Sequence, residues 1–251
     1  MTTEPVTADD VLLALSEVVD PELDEPITDL GFVRSVVLDD EGVTVHLRLP
    51  TAFCSPNFAY LMASDAQDVL EAVEGIGRVR IMLDDHHDSD KINDGLAANA
   101  GYRGTFGVEA VDSLEDLRRT FLRKAHLAAL ERCIESMLRE TDLTVDEVGS
   151  LTLSDIPPGR HRSALLRRRL ALGLTLCPAG RAFVDEDGRT IPAEKIPMRL
   201  RFAKSVRISM EGNSHFCRGL LATRYSDDDG AEVPRIVDVR STSPVPVRRV
   251  S

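Results

Sequence analysis

The sequence contains no tryptophan, and aromatic residues make up only 4% of its 251 positions. Proteins that bind single-stranded nucleic acid without sequence preference stack bases on aromatic side chains, so this scarcity disfavours that class. The net charge of -12 disfavours it further, because an acidic chain repels phosphate backbones unless its basic residues are clustered. Nucleic-acid binding is therefore not expected.

Long apolar runs and a cysteine framework are also missing. No stretch approaches the ~18 consecutive apolar residues of a membrane span, and residues 1–8 carry acids and proline rather than a basic segment. We therefore expect no membrane partner and a cytoplasmic location. The four cysteines are widely spaced and form no Cys-x-x-Cys pair, so reduced thiols are expected.

Hydrophobic patterns over residues 1–83 predict an α+β domain with a small sheet covered by helices. The predicted order is α-β-β-α-β: a helix over 8–19, strands over 33–38 and 43–49, a helix over 57–73 and a strand over 78–83. The acidic turn Asp39-Asp40-Glu41-Gly42 between the first two strands is typical of a hairpin, with glycine where a positive φ is required.

Three further segments are predicted: an acidic, histidine- and glycine-rich connection over 84–112, a second domain over 113–225 and an extended tail over 226–251. The second domain should be helical and then β-rich. Helices are expected over 113–140 and 163–174, a hairpin turn over 185–188, and strands over 198–210 and 216–225.

Cys54 is the strongest candidate for a functional residue, because it stands where an alternating strand passes through a turn into a helix. Ser55 is suited to the N-cap and Pro56 to the first helical position. Unpaired N–H groups and the macrodipole at a helix start favour thiolate, the form that attacks electrophiles or binds soft metals. The alternative is a small buried hydrophobic residue, since free cysteine is among the most buried types.

The residues around Cys54 resemble the iron–sulfur cluster assembly domain that occurs in the SufT and PaaD proteins. The resemblance covers roughly a third of the chain, from Val11 to Leu83. It is carried by Asp20-Pro21-Glu22, by Asp29-Leu30-Gly31-Phe32-Val33, and by Thr51 with Cys54 in a Thr-x-x-Cys arrangement. One position departs from the family pattern, because Ser55 stands between Cys54 and the proline that usually follows it directly.

This resemblance implies that the protein assembles iron–sulfur clusters or delivers them, or iron, to client apo-metalloproteins, with Cys54 as the thiol that binds the transient cargo. It also implies a set of pocket-framing residues: Asp20, Glu22, Asp29, Gly31 and Thr51. A cluster needs about four thiolate-type ligands, yet this domain contributes one. The others would come from a homodimer partner, a client, a small thiol, or Cys177 or Cys217 of the second half.

A second candidate metal site directly follows the third predicted strand. Its members are Asp85, His86, His87 and Asp88. Imidazole and carboxylate groups bind iron, zinc or manganese, which would permit an alternative function as a metal-dependent hydrolase. The competing interpretation is a solvated acidic turn, because adjacent residues on extended backbone point in opposite directions.

Further cysteines and histidines lie near predicted turns of the second domain. Cys177, His215 and Cys217 would supply three of the four ligands of a zinc or iron site if the fold brought them together. Spacing alone does not show that it does. Cys133 lies among apolar residues of a predicted helix and is interpreted as a core residue.

A run of three arginines, Arg167, Arg168 and Arg169, stands out in an acidic chain. It suits docking of an acidic client or of a second copy, although three consecutive residues cannot share one helix face and are more often solvated. Docking without metal chemistry would make the protein an interaction module. The extended chain also resembles accessory proteins of bacterial multicomponent diiron monooxygenases, which implies a component of such an enzyme as client.

Overall fold

The computed structural model describes residues 5–110, 113–226 and 233–240. The chain divides into two compact units, one formed by Met1–Leu114 together with Asn213–Ser251 and the other by Glu115–Gly212. The first unit thus combines segments that are far apart in sequence. Within the described residues, no helix is both long enough and apolar enough to cross a bilayer.

The first unit is built on a four-stranded sheet. Its elements are α1 (Ala8–Leu15), β1 (Val19–Asp20), β2 (Glu25–Pro26), β3 (Val33–Leu38), β4 (Gly42–Arg48), α2 (Pro56–Glu71), β5 (Arg78–Asp84), α3 (Ser89–Ala97), α4 (Gly101–Phe106) and β6 (Arg235–Asp238), with a short 3-10 helix at Gly107–Glu109. The strand order is β5-β4-β3-β6, and β1 pairs with β2 in a separate ribbon. Strands β3 and β4 are antiparallel, whereas β5 joins β4 and β6 joins β3 in parallel.

The predicted hairpin between β3 and β4 is confirmed, and local polar contacts explain its turn. Asp39 Oδ1 accepts from the N–H groups of Glu41 and Gly42 at 2.8 and 2.9 Å. Gly42 has a φ of +154°, and a Cβ there would lie 2.2 Å from the carbonyl oxygen of Arg78. Only glycine permits this approach of the β4 start to β5.

The core of the first unit lies between the sheet and its helices. Alternate residues of β4, namely Val43, Val45 and Leu47, are buried, as the period of two requires. On α2 the buried stripe includes Ala59, Ala63, Ala66 and Leu70, whose spacing places them on one helix face. The predicted class, mixed α+β with an N-terminal α-β-β-α-β order, is confirmed, and the two-residue strands β1 and β2 add to it.

Residues 84–110 fold into α3 and α4 in place of the predicted connection. Ile92, Leu96 and Phe106 are buried in the core of the first unit, and Tyr102 donates to Asn57 Oδ1 at 2.7 Å. This corrects the interpretation of the segment as a linker. The segment is rich in acidic residues and glycine, so its apolar pair at positions i and i+4 was not recognised. This pair packs a short helix against the core.

The second unit is helical. Its helices are α5 (Leu114–Glu140), apart from the first residue, α6 (Arg160–Ala171), and α7 (Ile196–Arg224) as far as Gly212. Residues 213–224 of α7 belong to the first unit. Its core contains Leu130, Ile134, Leu153, Leu165 and Phe183, each at most 1% exposed. The helix predicted over 113–140 is therefore confirmed, and the predicted turn over 185–188 is bracketed by an antiparallel bridge between Val184 and Thr190.

The predicted strands over 198–210 and 216–225 were wrong, since both ranges fall almost entirely within α7. The sequence from Met198 alternates polar and apolar residues locally, which favoured the strand interpretation. Over the full 29 residues, however, the buried positions recur at helical spacing: Ile196, Ala203, Met210, Ser214 and Leu221. Burial of this stripe outweighs the local two-residue alternation.

The predicted extended tail falls largely outside the described residues, which omit 227–232 and 241–251. Between these ranges, Arg235–Asp238 forms β6 and pairs with β3 in register from Ser35 to Leu38. This part of the tail is therefore an edge strand of the first unit. A strand of four residues is too short to show a recognisable sequence pattern of its own. Its partner β3 is far away in the sequence and therefore adds no local signal.

His126 is a buried histidine of the second unit and is only 4% exposed. Its Nε2 atom has no hydrogen-bond partner within the described residues. The pKa of His126 is lowered to about 4, chiefly by burial and also by the positive charges of Arg169, Arg168 and Arg199, against the opposing effect of Glu186. The folded state thus keeps this imidazole neutral.

Acidification is expected to destabilise the second unit through His126. Between pH 6.5 and 4 the unfolded chain binds a proton at this imidazole and the folded chain does not, so stability falls as the pH falls. The free energy of unfolding lost between pH 7 and pH 4 should be about 3 kcal/mol larger in wild type than in His126→Gln. Urea denaturation at both pH values measures this difference, and an equal loss in both proteins would contradict it.

Candidate functional site

The Cys54 loop connects the end of β4 to the start of α2. Ser55 occupies the N-cap and Pro56 the first helical position, as predicted, although the Ser55 side chain makes no cap hydrogen bond. Cys54 is half-buried and packs against the core of the first unit. Thr51 Oγ1 lies 3.5 Å from Cys54 Sγ and accepts from the N–H of Phe53 at 3.2 Å. The Thr-x-x-Cys arrangement therefore brings hydroxyl and thiol together.

The side chain of His86 bonds to the backbone of this loop. Its Nδ1 accepts from the N–H of Asp88 at 3.1 Å, and its Nε2 lies 2.8 Å from the carbonyl oxygen of Cys54. Because a carbonyl oxygen only accepts, Nε2 carries the proton and the ring is the neutral tautomer. The side chain is 5% exposed. Both nitrogens are thus used by backbone groups, and the lone pair that a metal would need is already engaged.

The rest of the predicted histidine and aspartate cluster supports the same region. The N–H of His87 donates to the carbonyl of Ala52 at 2.8 Å, and its exposed ring lies 5.8 Å from that of Phe53. Asp85 accepts from the hydroxyl of Tyr225 at 3.2 Å, and Asp88 occupies the N-cap of α3. Among the described residues, no group of three or more His, Cys, Asp or Glu side chains is arranged to hold a metal ion.

Asp20 lies in the ribbon formed by β1 and β2 and is 7% exposed. Its Oδ1 accepts from the N–H groups of Glu22 and Leu23 at 2.8 and 2.9 Å. Burial raises the pKa of Asp20 to about 6, although these two donors oppose the shift, and the charges of Glu22 and Glu25 add to it. The Asp-Pro-Glu motif therefore places a buried carboxyl group in a locally acidic ribbon.

Cys217 reaches the same ribbon from the last turns of α7. It is half-buried and packs against the core that also contacts Cys54. The pKa of the Cys217 thiol is raised to about 11, chiefly by burial and also by the nearby charges of Asp20, Cys54 and Glu22. The end of α7 thus returns to the β1–β2 ribbon across 191 residues of sequence, and Asn213 donates to Glu22 Oε1 there.

A model of the family described as iron–sulfur cluster assembly protein matches residues 8–82. The uncharacterized protein MJ1129 of Methanocaldococcus jannaschii is 36% identical over 92 residues, which are 36% of this chain and 95% of that protein. The chain belongs to the iron–sulfur cluster assembly protein family. No solved structure matches it.

Within the family domain, two other pocket-framing candidates differ in their contacts. Gly31 has a φ of +75°, a conformation that favours glycine, and its carbonyl accepts from Arg48 Nε at 3.2 Å. Asp29 is exposed. The role of these residues toward a cargo remains a prediction.

Among the described residues, Cys177, His215 and Cys217 do not form a metal-holding group. Cys177 is exposed. His215 and Cys217 are two residues apart on α7 and therefore cannot share a helix face. Accordingly, His215 is exposed while Cys217 turns toward the core. Cys133 lies in the core of the second unit, as predicted.

The arginine run on α6 does not form one docking surface. Arg169 is fully buried, and its Nε and Nη1 atoms donate to the carbonyls of Thr175 and Ala182 at 2.9 and 3.1 Å. Arg168 is half-buried, and only Arg167 is exposed. The helix turns by about 100° per residue, which is why three consecutive arginines meet three environments.

Sequence reasoning missed an arginine cluster around Tyr225. The guanidinium groups of Arg48, Arg224 and Arg34 lie 5.1, 5.3 and 5.9 Å from the centre of the Tyr225 ring. Arg224 also donates to the carbonyl of Leu49 at 3.0 Å, which ties the end of α7 to the strand end that precedes Cys54. No local pattern reveals such contacts, because the partners are far apart in sequence.

Proposed function

We propose that this protein binds an iron–sulfur cluster, or iron, transiently through Cys54 and delivers it to a client apo-metalloprotein. The observation that carries the proposal is the Cys54 loop of the family domain. It presents a half-buried thiol at a helix start, 3.5 Å from the Thr51 hydroxyl. The cluster is cargo in this function and not a resident cofactor.

The donor set suits transfer better than storage. A cluster requires about four thiolate-type ligands, and the described residues hold no group of three metal-binding side chains. Some ligands must therefore come from another molecule: the client, a small thiol, or a second copy in a homodimer. An incompletely ligated cluster can leave by ligand exchange, whereas a closed four-ligand site would retain it.

The finer identity of the client rests on the sequence alone. The extended chain resembles accessory proteins of bacterial diiron monooxygenases, which supports a component of such a multicomponent enzyme as client. A non-catalytic role is part of this proposal. The alternative of a hydrolytic metal site at His86 and His87 gains no support, since both nitrogens of His86 have backbone partners.

Anaerobic reconstitution with ferrous iron and sulfide tests the proposal. Wild type should develop a visible chromophore and pass it to an apo-ferredoxin, whereas Cys54→Ser should lose both. Cys177→Ser is the matched control, because that thiol is exposed in the second unit, and it should behave as wild type. An unchanged chromophore and transfer rate in Cys54→Ser would exclude Cys54 as the cargo ligand.

A further inference from the structure

The second unit contains an open pocket of about 450 Å³ between α5, α7 and the turn over 185–188. Sites for small organic ligands commonly have volumes of about 300–1,000 Å³. All lining residues lie within the second unit and outside the part of the chain that matches the family. Much of the wall is apolar and is formed by Leu127, Leu172, Val184, Phe202 and Val206. The pocket thus has the size and the apolar surface that a small organic molecule requires.

Three buried nitrogen atoms of the lining side chains lack hydrogen-bond partners. They are Arg123 Nε, His126 Nε2 and Arg199 Nε, and none of them bonds to any part of the chain that the structure describes. The Nε–H group of an arginine can only donate, and a nitrogen of a neutral imidazole can donate or accept. Buried polar atoms are nearly always paired in folded proteins, because leaving them unpaired costs free energy. The missing partner is therefore a hydrogen-bond acceptor.

The carboxylates in the wall do not supply this acceptor. Glu186 pairs with Nη2 of Arg199, and Asp187 Oδ1 lies 4.0 Å from Nη2 of Arg123. Asp185 Oδ1 accepts from two backbone N–H groups of its own turn, at 2.9 and 2.8 Å. Each arginine therefore contacts an acid through a terminal nitrogen, and its Nε–H group is left without an acceptor. An acceptor group that a ligand brings into the pocket would satisfy these donors.

Positive charge prevails around His126. Three arginines and one glutamate act on its imidazole, and the arginines are Arg169, Arg168 and Arg199. The exposed Lys124 adds a further cation to the wall of the pocket. A hydrogen bond from an arginine to an anion is charge-assisted and roughly twice as strong as one between neutral groups. The acceptor that suits this pocket best is therefore an anionic group.

We propose that this pocket binds a small organic carboxylate, whose apolar chain lies against the apolar wall and whose carboxylate accepts from Arg123, His126 and Arg199. The three nitrogens are buried, so neighbouring side chains shift when the ligand enters, a change that is common on binding. Inorganic phosphate would leave the apolar wall uncovered, and a neutral alcohol would bring no charge. The site involves the second unit alone and is separate from Cys54, so it goes beyond cluster delivery.

Titration of the full-length protein with hexanoate tests this proposal. The imidazole nitrogen resonances of isotope-labelled protein are followed by NMR, and comparison with His126→Gln assigns those of His126. Hexanoate should shift the Nε2 resonance of His126 saturably, because this atom gains a partner, whereas hexanol and inorganic phosphate at equal concentration should not. An equal shift with hexanol would show that the anion is irrelevant, and an equal shift with phosphate that the apolar chain is. Either result would contradict the proposed class of ligand.

Two arginine variants provide the second readout. Arg199→Met and Arg123→Met should each weaken hexanoate binding at least about tenfold, because each removes a charge-assisted hydrogen bond. Circular dichroism checks the fold of both, so that the test remains valid if one of them does not fold. Arg201→Met is the matched control, since Arg201 is exposed on α7 and does not line this pocket, and it should bind hexanoate as wild type does.

Two results would overturn the inference. If hexanoate causes no saturable shift of the His126 resonance in wild type, the pocket holds water only. If both folded arginine variants bind hexanoate as tightly as wild type, these side chains do not hold the carboxylate. Cys54→Ser should bind hexanoate as wild type does, because Cys54 is not part of this pocket. Neither failure would affect the Cys54-dependent chromophore, so the two proposals are tested separately.

Discussion

Replacing Arg207 by methionine is expected to lower the free energy of unfolding of the second unit by about 3–5 kcal/mol. Arg207 bonds to Glu131, and its Nη2 and Nη1 atoms donate to Glu135 and Glu211 at 2.8 Å each. Glu131 is only 4% exposed. Methionine preserves the length and the apolar stem of the side chain but leaves this buried carboxylate without its cation. Urea denaturation followed by circular dichroism measures the loss.

The matched control is Arg139→Met. Arg139 also pairs with Glu135, at 3.1 Å, but its side chain is 71% exposed, so its loss should cost less than about 1 kcal/mol. The double variant Arg207→Met/Glu131→Leu should recover much of the stability, because a buried ion pair replaced by apolar groups is often neutral. An Arg207→Met variant as stable as Arg139→Met would show that Glu131 is not desolvated.

Local chemistry made the family domain predictable. The β3–β4 hairpin follows from an acidic turn that ends in glycine, and α2 follows from Ser55 and Pro56 before an apolar stripe. In each case the residues that determine the element lie within it or directly next to it in the sequence. The same reasoning located Cys54 at a helix start, because this position depends only on where a strand ends and a helix begins.

The parts that failed depend on tertiary contacts. The segment from Met198 alternates locally and was interpreted as a strand, whereas a stripe of buried side chains over 29 residues makes it helix α7. Strand β6 is too short to be recognised without its partner β3. The return of the end of α7 to the β1–β2 ribbon, where Asn213 donates to Glu22, also has no local sequence signal.

Residue type misled the interpretation of two polar groups. The three arginines on α6 resembled a docking patch, but Arg169 is buried and bonds to two carbonyls. His86 resembled a metal ligand, but it fixes the backbone of Cys54. In both cases the side chain satisfies backbone groups that would otherwise be buried and unpaired, a role that composition does not reveal.

Replacing His86 by alanine is therefore expected to lower the free energy of unfolding of the first unit by roughly 3–5 kcal/mol, because two backbone groups lose their partners and a buried ring is removed. Those groups are the carbonyl of Cys54 and the N–H of Asp88. The Cys54 loop loses its support, so the reconstituted chromophore should also decrease. Urea denaturation and reconstitution of the same preparation measure the two effects together.

His87→Ala is the matched control, because its ring is exposed and its backbone N–H, which bonds to Ala52, is retained. It should leave stability within about 0.5 kcal/mol of wild type and the chromophore unchanged. The two variants then separate a ligand role of His86 from a structural role. Loss of iron from His86→Ala at wild-type stability would indicate that His86 is a ligand. Loss of both iron and stability would indicate that His86 supports the Cys54 loop. A reduced metal content in a His86→Ala/His87→Ala protein can therefore be interpreted only together with the stability of that protein. The reason is that the imidazole of His86 supports the backbone of Cys54.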